Sequence, residues 1–227
     1  MFSALGEGNN DGIFLEAVSD ENNFNHKSYL VQTREDLGFR RFISQYSDFR
    51  YNQIDNNDFV LIYSDGGKEN LLKNHLPEII KSIFAQIPAK LNFILLLDED
   101  HASESIITNI DLIKECISNL NIKLLAIRSD ESEIEIFSEV DDRFAIQLNL
   151  IMVPLTLERQ IINKVLQNES LPKKFVEKVL RLDDDSALRL LCEKLKIEKH
   201  ELIRSSVESH WFHGEPWFEL LSKNFRI

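Results

Sequence analysis

Apolar residues are distributed along the chain in two textures. Short unbroken apolar runs suit strands buried on both faces of a sheet. Between them lie stretches whose apolar positions recur at helical spacing. Residues 2–6 (Phe-Ser-Ala-Leu-Gly) predict a short first strand that runs into Glu7-Gly8-Asn9-Asn10-Asp11. Asn9 or Asn10 could cap a helix over 11–18. Residues 20–28 are polar and rich in Asn and predict a loop. Residues 33–46 predict a helix, with Leu37, Phe39, Phe42, Ile43 and Tyr46 at helical spacing, and 47–57 return to loop. The run 59–63 is the next strand, and it ends in Ser64-Asp65-Gly66-Gly67-Lys68. A helix follows to about residue 87, kinked or restarted at Pro77.

The apolar run 91–97 predicts another buried strand, with Asp98-Glu99-Asp100 directly after it. Ser103 or Ser105 opens an amphipathic helix through Ile106, Ile110, Ile113, Ile117 and Leu120. Strands are expected at 122–127, 134–137 and 144–153, the last stopped by Pro154. Beyond Leu157-Glu158 the pattern is helical, with helices near 157–168, 172–182, 186–196 and 198–209. Alternating buried strands and helices define an α/β class: a mostly parallel central sheet with helices on both faces. A helical insertion or cap is expected at 20–57. A helical C-terminal extension at 166–227 is expected to pack on the core of residues 1–165.

Composition narrows this picture. A hydrophobic share of 43% and a charged share of 28% over 227 residues fit a soluble globular chain of one domain, or one with an appendage. No apolar run reaches membrane-spanning length and no signal-peptide layout opens the chain, so a cytoplasmic location is expected. Cys116 and Cys192 lack any paired ligand pattern and read as reduced thiols. The net charge of −12 argues against a sequence-blind nucleic-acid binder with a basic face. It leaves room for an enzyme whose carboxylates hold a cation. A substrate groove would then need local clusters such as Arg34, Arg40, Arg41 and Arg50, whose plainer reading is a solvated helix face.

In parallel α/β sheets, ligand sites lie at the C-terminal strand ends. Glu7, Gly66-Gly67 and Asp98-Glu99-Asp100 all fall there. Extended spacing puts Asp98 and Asp100 on one side of the chain. Two hard carboxylates on one side suit Mg²⁺, which keeps several of its waters. Glu7, ending another strand, could reach the same place as a ligand or as a general acid or base.

Together these residues resemble the TOPRIM domain, the fold shared by topoisomerases, primases and nucleases of the overcoming-lysogenization-defect (OLD) type. Gly6-Glu7-Gly8-Asn9-Asn10-Asp11 looks like the family's first motif, and Leu96-Leu97-Asp98-Glu99-Asp100 looks like its Asp-x-Asp motif. Ser64-Asp65-Gly66-Gly67-Lys68 resembles the Gly-Gly turn of stand-alone OLD-like members. Met152-Val153-Pro154 with Leu157-Glu158 resembles their late strand and helix start. The resemblance covers about residues 1–165 and implies a TOPRIM or Rossmann-like fold. It also implies a metal-dependent nuclease, or related phosphoryl-transfer enzyme, acting on DNA or RNA phosphodiesters, with a role in defence against phage or plasmid by analogy. Catalysis would rest on Glu7, Asp98 and Asp100. Mg²⁺ or Mn²⁺ would be held by Asp98 and Asp100 with Glu7 and Asp11, and Glu158 would serve a second ion. Gly66, Gly67 and Lys68 would approach a phosphate. The family's late basic residue is matched by no single position; Lys173, Lys174, Lys178 and Lys199 all qualify.

A different class of protein is also open: a catalytically inactive TOPRIM-like module that binds a nucleotide, a nucleic acid, a protein partner or a second copy of itself. A third is a generic α/β domain whose acids are unrelated loop residues. Two further clusters complete the inventory. Asp183-Asp184-Asp185 is either a metal loop or acidic charge at a helix start. His210 and His213, with Glu208 and Glu215, could bind a metal, although histidines among Trp211, Phe212, Trp217 and Phe218 more often serve packing.

Overall fold

The computed structural model describes residues 2–30, 59–64, 66–86, 90–99, 106–120, 125–130, 132–139, 141, 143 and 145–225. Their strands form one mixed seven-stranded sheet in the order β2-β3-β1-β4-β7-β6-β5. These strands are β1 (Phe2–Gly6), β2 (Asn25–Leu30), β3 (Phe59–Ser64), β4 (Lys90–Glu99), β5 (Leu125–Asp130), β6 (Glu133–Ser138) and β7 (Ala145–Pro154). The first five in spatial order are mutually parallel, and β6 and β5 close that side as antiparallel strands. The expected α/β class with a mostly parallel centre is therefore present.

The strands are apolar because both faces are covered. On one face, Ala4, Ile62, Ile94, Leu96, Ile151 and Val153 meet α1 (Asn9–Glu21), α5 (Leu157–Asn168) and the C-terminal helices. Those are α6 (Lys173–Val179), α7 (Asp184–Leu195), α8 (Lys199–Glu208) and α9 (Pro216–Phe225). On the other face, Leu5, Phe93, Leu95, Leu97, Leu148 and Leu150 meet a helical stretch after β3 and α4 (Ile106–Ser118). Successive strand residues thus alternate between two separate apolar clusters, as the pleat requires.

The helical stretch after β3 begins with α2 (Lys68–Asn70), widens into a π-helical turn at Leu71–His75 and continues as α3 (Leu76–Gln86). The irregularity directly precedes Pro77, whose missing N–H is tolerated in the first turn of a helical segment. This is the restart expected from the sequence.

Three expectations need correction. Residues 25–30 form an edge strand, β2, paired in parallel with β3, where polarity had suggested loop. The insertion at 20–57 is therefore not wholly helical, and the helix expected at 33–46 lies outside the described residues. β4 extends through Glu99, so Asp98 is part of the strand and pairs with Val153 of β7 rather than following it in a loop. The cap of α1 is Gly8, not Asn9 or Asn10.

Close approach of α1 to the sheet depends on glycine. A Cβ added at Gly6 would stand 2.4 Å from Asp11 Cβ, and one at Gly12 would stand 2.8 Å from Ser64 Oγ. The first turn of α1 therefore sits directly on the ends of β1 and β3. Gly6→Ala is expected to lower stability by about 1–3 kcal/mol in urea denaturation, as overpacking does. Gly66→Ala, with no atom within 4 Å of the added methyl, is expected to change it by less than about 0.5 kcal/mol.

Candidate metal centre

At the C-terminal edge of the sheet, β1 and β4 are paired in register up to Gly6 and Leu96. β4 continues beyond that point while β1 turns away. The carboxylate of Glu7 fills the gap by accepting a 2.7 Å hydrogen bond from the Asp98 backbone N–H. The two acids, 91 residues apart in sequence, are thereby brought into contact.

Each neighbouring acid has its own anchor. Asp11, in the first turn of α1, accepts from the Gly8 backbone N–H at 2.8 Å and is only 6% exposed. Asp98 Oδ1 accepts from the Leu157 backbone N–H at 2.9 Å, so its carboxyl lies at the N-terminus of α5. Glu158 accepts from the Asn10 side-chain amide, which joins the first turns of α1 and α5. Thr156 caps α5 by accepting from the Arg159 N–H at 3.0 Å.

Four carboxylates thus face one crevice, and they repel one another. Burial, reinforced by Asp11, Glu7 and Glu158, pushes the Asp98 carboxyl up to about 9. Burial, reinforced by Glu158, pushes Asp11 up to about 8. The backbone N–H groups of Leu157 and Gly8 pull the other way without prevailing. Among the described residues one cation enters this crevice. Lys68 Nζ donates to the Asp98 carbonyl oxygen at 2.5 Å and lies 3.7 Å from Glu7 Oε1, with side chains only 13% and 14% exposed.

Glu7, Asp11, Asp98 and Glu158 are therefore brought together, whereas Asp100 lies outside the described residues. So do Arg34, Arg40, Arg41 and Arg50. The Gly66-Gly67 turn borders the site: Gly67 has φ +128°, a conformation L side chains rarely adopt, and its N–H donates to the Glu7 carbonyl at 2.8 Å. The Lys68 ammonium is directed at Glu7 and Asp98, so it reaches a phosphate only by sharing those contacts. Asn10 is a site residue that the sequence reading weighed only as a cap. Its link to Glu158 spans 148 residues, which no local pattern reveals.

The donor set fits a hard divalent cation: carboxylate oxygens, partly buried, holding protons that a cation would displace. Among the described residues, the group of three acids or histidines whose ligand atoms lie mutually within 4.8 Å is a different one, Glu21/His210/His213. The crevice carboxylates are spread more widely.

The Asp183-Asp184-Asp185 run is structural. Asp183 caps α7 by accepting from the Ser186 N–H at 3.0 Å, and Asp184 is held by Thr156 and Arg159. Asp185 pairs with Arg189 at 2.8 Å and Lys199 at 3.1 Å. The aromatic residues of the C-terminal turn pack inward, with Phe14 of α1 lying 5.6 Å from Phe212 and 5.8 Å from Trp217 between ring centroids. Both cysteines are free thiols. No described helix is long and apolar enough to cross a membrane. Compared with protein-family models, curated proteins and solved structures, the chain matches none.

The raised carboxyls have a thermodynamic consequence. Between the ordinary value of 3.8 and about 9, folded Asp98 keeps a proton that the unfolded chain releases. Stability from this group is present at low pH and is lost as pH rises through that window. Asp98→Asn retains an oxygen for the Leu157 N–H and removes the titration. In urea denaturation the wild type should lose more stability than Asp98→Asn between pH 5 and pH 9, by at least about 1.4 kcal/mol, the equivalent of one pKa unit. Equal losses would show that Asp98 titrates as an ordinary carboxylate.

Proposed function

We propose that this chain is a Mg²⁺- or Mn²⁺-dependent phosphoryl-transfer enzyme of the TOPRIM kind, acting as a nuclease on nucleic-acid phosphodiesters. The observation that carries the reading is the contact of Glu7 with Asp98 at the C-terminal edge of β1 and β4, with Asp11 and Glu158 facing the same crevice. It joins the two motifs on which the TOPRIM resemblance rests, at the sheet edge where α/β folds bind ligands. The fold class is compatible with that resemblance, and the four-acid crevice supplies the chemistry it calls for.

In this reading Asp98 and Asp100 hold the cation, Asp11 is a further ligand or orients one, and Glu158 supports a second ion. A bound divalent ion supplies Lewis-acid polarisation of the phosphate and a more acidic attacking water. Glu7 serves as ligand or as general base, its carboxylate held in place by the Asp98 N–H. Gly67 keeps the turn after β3 close to Glu7, and Lys68 offers a positive charge beside the site for a phosphate oxygen. A role in defence against phage or plasmid follows only from the resemblance to stand-alone OLD-like proteins.

One observation favours a second reading, a catalytically inactive TOPRIM-like binding module. The Lys68 ammonium already neutralises part of the crevice by pairing with Glu7 and the Asp98 carbonyl. A lysine in that position can take the place of a metal ion.

Single- and double-stranded DNA and RNA, incubated with the chain in Mg²⁺ or Mn²⁺, separate the two. The nuclease reading expects metal-dependent cleavage that Asp98→Asn and Glu7→Gln each reduce by about a hundredfold or more. Cleavage unchanged in Asp98→Asn refutes it. A wild type that cleaves nothing and gains no thermal stability from Mn²⁺ supports the inactive module. Gain of Mn²⁺ stabilisation in Lys68→Met would then identify Lys68 as the substitute cation.

A further inference from the structure

At the far end of α1 from Asn10 and Asp11, a second group of metal-ligating side chains comes together. Glu21 is the last residue of α1, and His210 and His213 lie in the turn between α8 and α9. His210 Nδ1 is 2.8 Å from Glu21 Oε1, and His213 Nε2 is 3.6 Å from the same oxygen. The imidazole rings are stacked, with centroids 4.3 Å apart and planes 26° apart. All three ligand atoms lie within 4.8 Å of one another.

Two features separate this cluster from a chance surface contact. The first is charge. Glu21 sits at a helix C-terminus, where the backbone dipole disfavours a carboxylate. Its neighbours on that seam, Glu16 and Asp20, are both paired with Arg204, at 3.0 and 2.9 Å. Glu21 instead faces two imidazoles. His210 itself occupies the left-handed position of an ordinary helix-ending turn, with its N–H donating to the Val207 carbonyl at 2.8 Å and the Trp211 N–H to the Ser206 carbonyl at 3.1 Å. The second is spacing. With metal–ligand bonds of about 2.0–2.1 Å, ligand atoms of a tetrahedral site are about 3.3 Å apart. The two distances from Glu21 Oε1 bracket that value.

We propose that Glu21, His210 and His213 form a site for a borderline divalent transition metal, Zn²⁺ or Co²⁺ in its place, with the remaining position open to water. Two imidazoles and one carboxylate select such ions over Mg²⁺, which prefers oxygen ligands alone. The site differs from the carboxylate crevice in ligands, in location and in ion preference. Bound metal would clip the end of α1 to the turn that leads into α9, while Phe14, Phe212, Trp217 and Phe218 pack together beneath it. Half-exposed His210 and His213 leave the ion accessible from solvent.

The test is titration of the full chain with Co²⁺, read by its visible ligand-field absorption and by displacement with Zn²⁺. The expected result is one equivalent of Co²⁺ in a His-ligated site. His213→Gln and His210→Ala should each weaken it by roughly tenfold or more, Glu21→Gln should weaken it to a lesser degree, and Asp98→Asn should leave it unchanged. Circular dichroism of the metal-free variants checks that they are folded, and the exposure of both histidines makes that the expected outcome. The proposal is overturned if the wild type develops no such absorption. It is equally overturned if the His210→Ala/His213→Gln double variant binds as the wild type does, or if Asp98→Asn abolishes binding.

Discussion

The hydrogen bond from the Asp98 N–H to Glu7 is the contact around which the candidate site is organised. β1 ends before β4, and an unpaired strand N–H near the interior needs an acceptor. Supplying that acceptor from a carboxylate brings a negative charge onto a strand whose own side chain at that position is an acid. Asp98 must then find compensation, and it finds part of it at the N-terminus of α5. Because α5 begins at Leu157, Glu158 arrives in the same crevice, and Asn10 joins it to α1. One backbone requirement thus propagates through two helices and gathers acids from four places in the chain.

Such a gathering is unfavourable in itself. Burial of carboxyls costs stability and the neighbouring acids add to that cost, which is the direction in which Asp11 and Asp98 are raised. A structure optimised only for stability would place amides or apolar groups there. Arrangements that sacrifice stability at one spot are frequent at functional sites. Structural ion-pair networks also shift carboxyls, but they do so with cations in comparable number. Here the carboxyls of Asp11 and Asp98 are raised rather than lowered.

The parts of this arrangement visible in the sequence are those that local patterns encode. Apolar runs located β3 and β4, and a run that alternates at its start located β7, because strands covered on both faces contain few polar positions. The Gly-rich stretch around Glu7 marked a tight strand-to-helix passage, and Gly6 and Gly12 are the positions where α1 touches the sheet. β2 was illegible because its sequence, Asn-His-Lys-Ser-Tyr-Leu, lacks an apolar run and it pairs on one side only, at the sheet edge. The length of β4 was misjudged because Asp98 and Glu99 are poor strand formers by composition, while the ladder to β7 carries them regardless. The Asn10 link to Glu158 and the part Glu21 plays beside the histidines depend on long-range docking, so neither Glu208 nor Glu215 could be replaced by the correct acid from sequence alone.

The acidic net charge bears on how such a chain could approach a polyanion. At −12, long-range attraction to nucleic acid is absent, and encounter would depend on local basic groups or on the cation itself. In the proposed reading, divalent ions in the crevice would largely neutralise the acids there, leaving the rest of the surface repulsive. Binding would then be conditional on metal, in contrast to proteins that coat nucleic acid through a basic face. Lys68 moderates this scheme in the metal-free state, since it lowers the repulsion among Glu7, Asp98 and their neighbours. On metal binding its ammonium would no longer be needed by the Glu7 carboxylate. In the proposed reading the same side chain would then be available to an incoming phosphate, so charge neutralisation and substrate contact would be successive uses of one lysine.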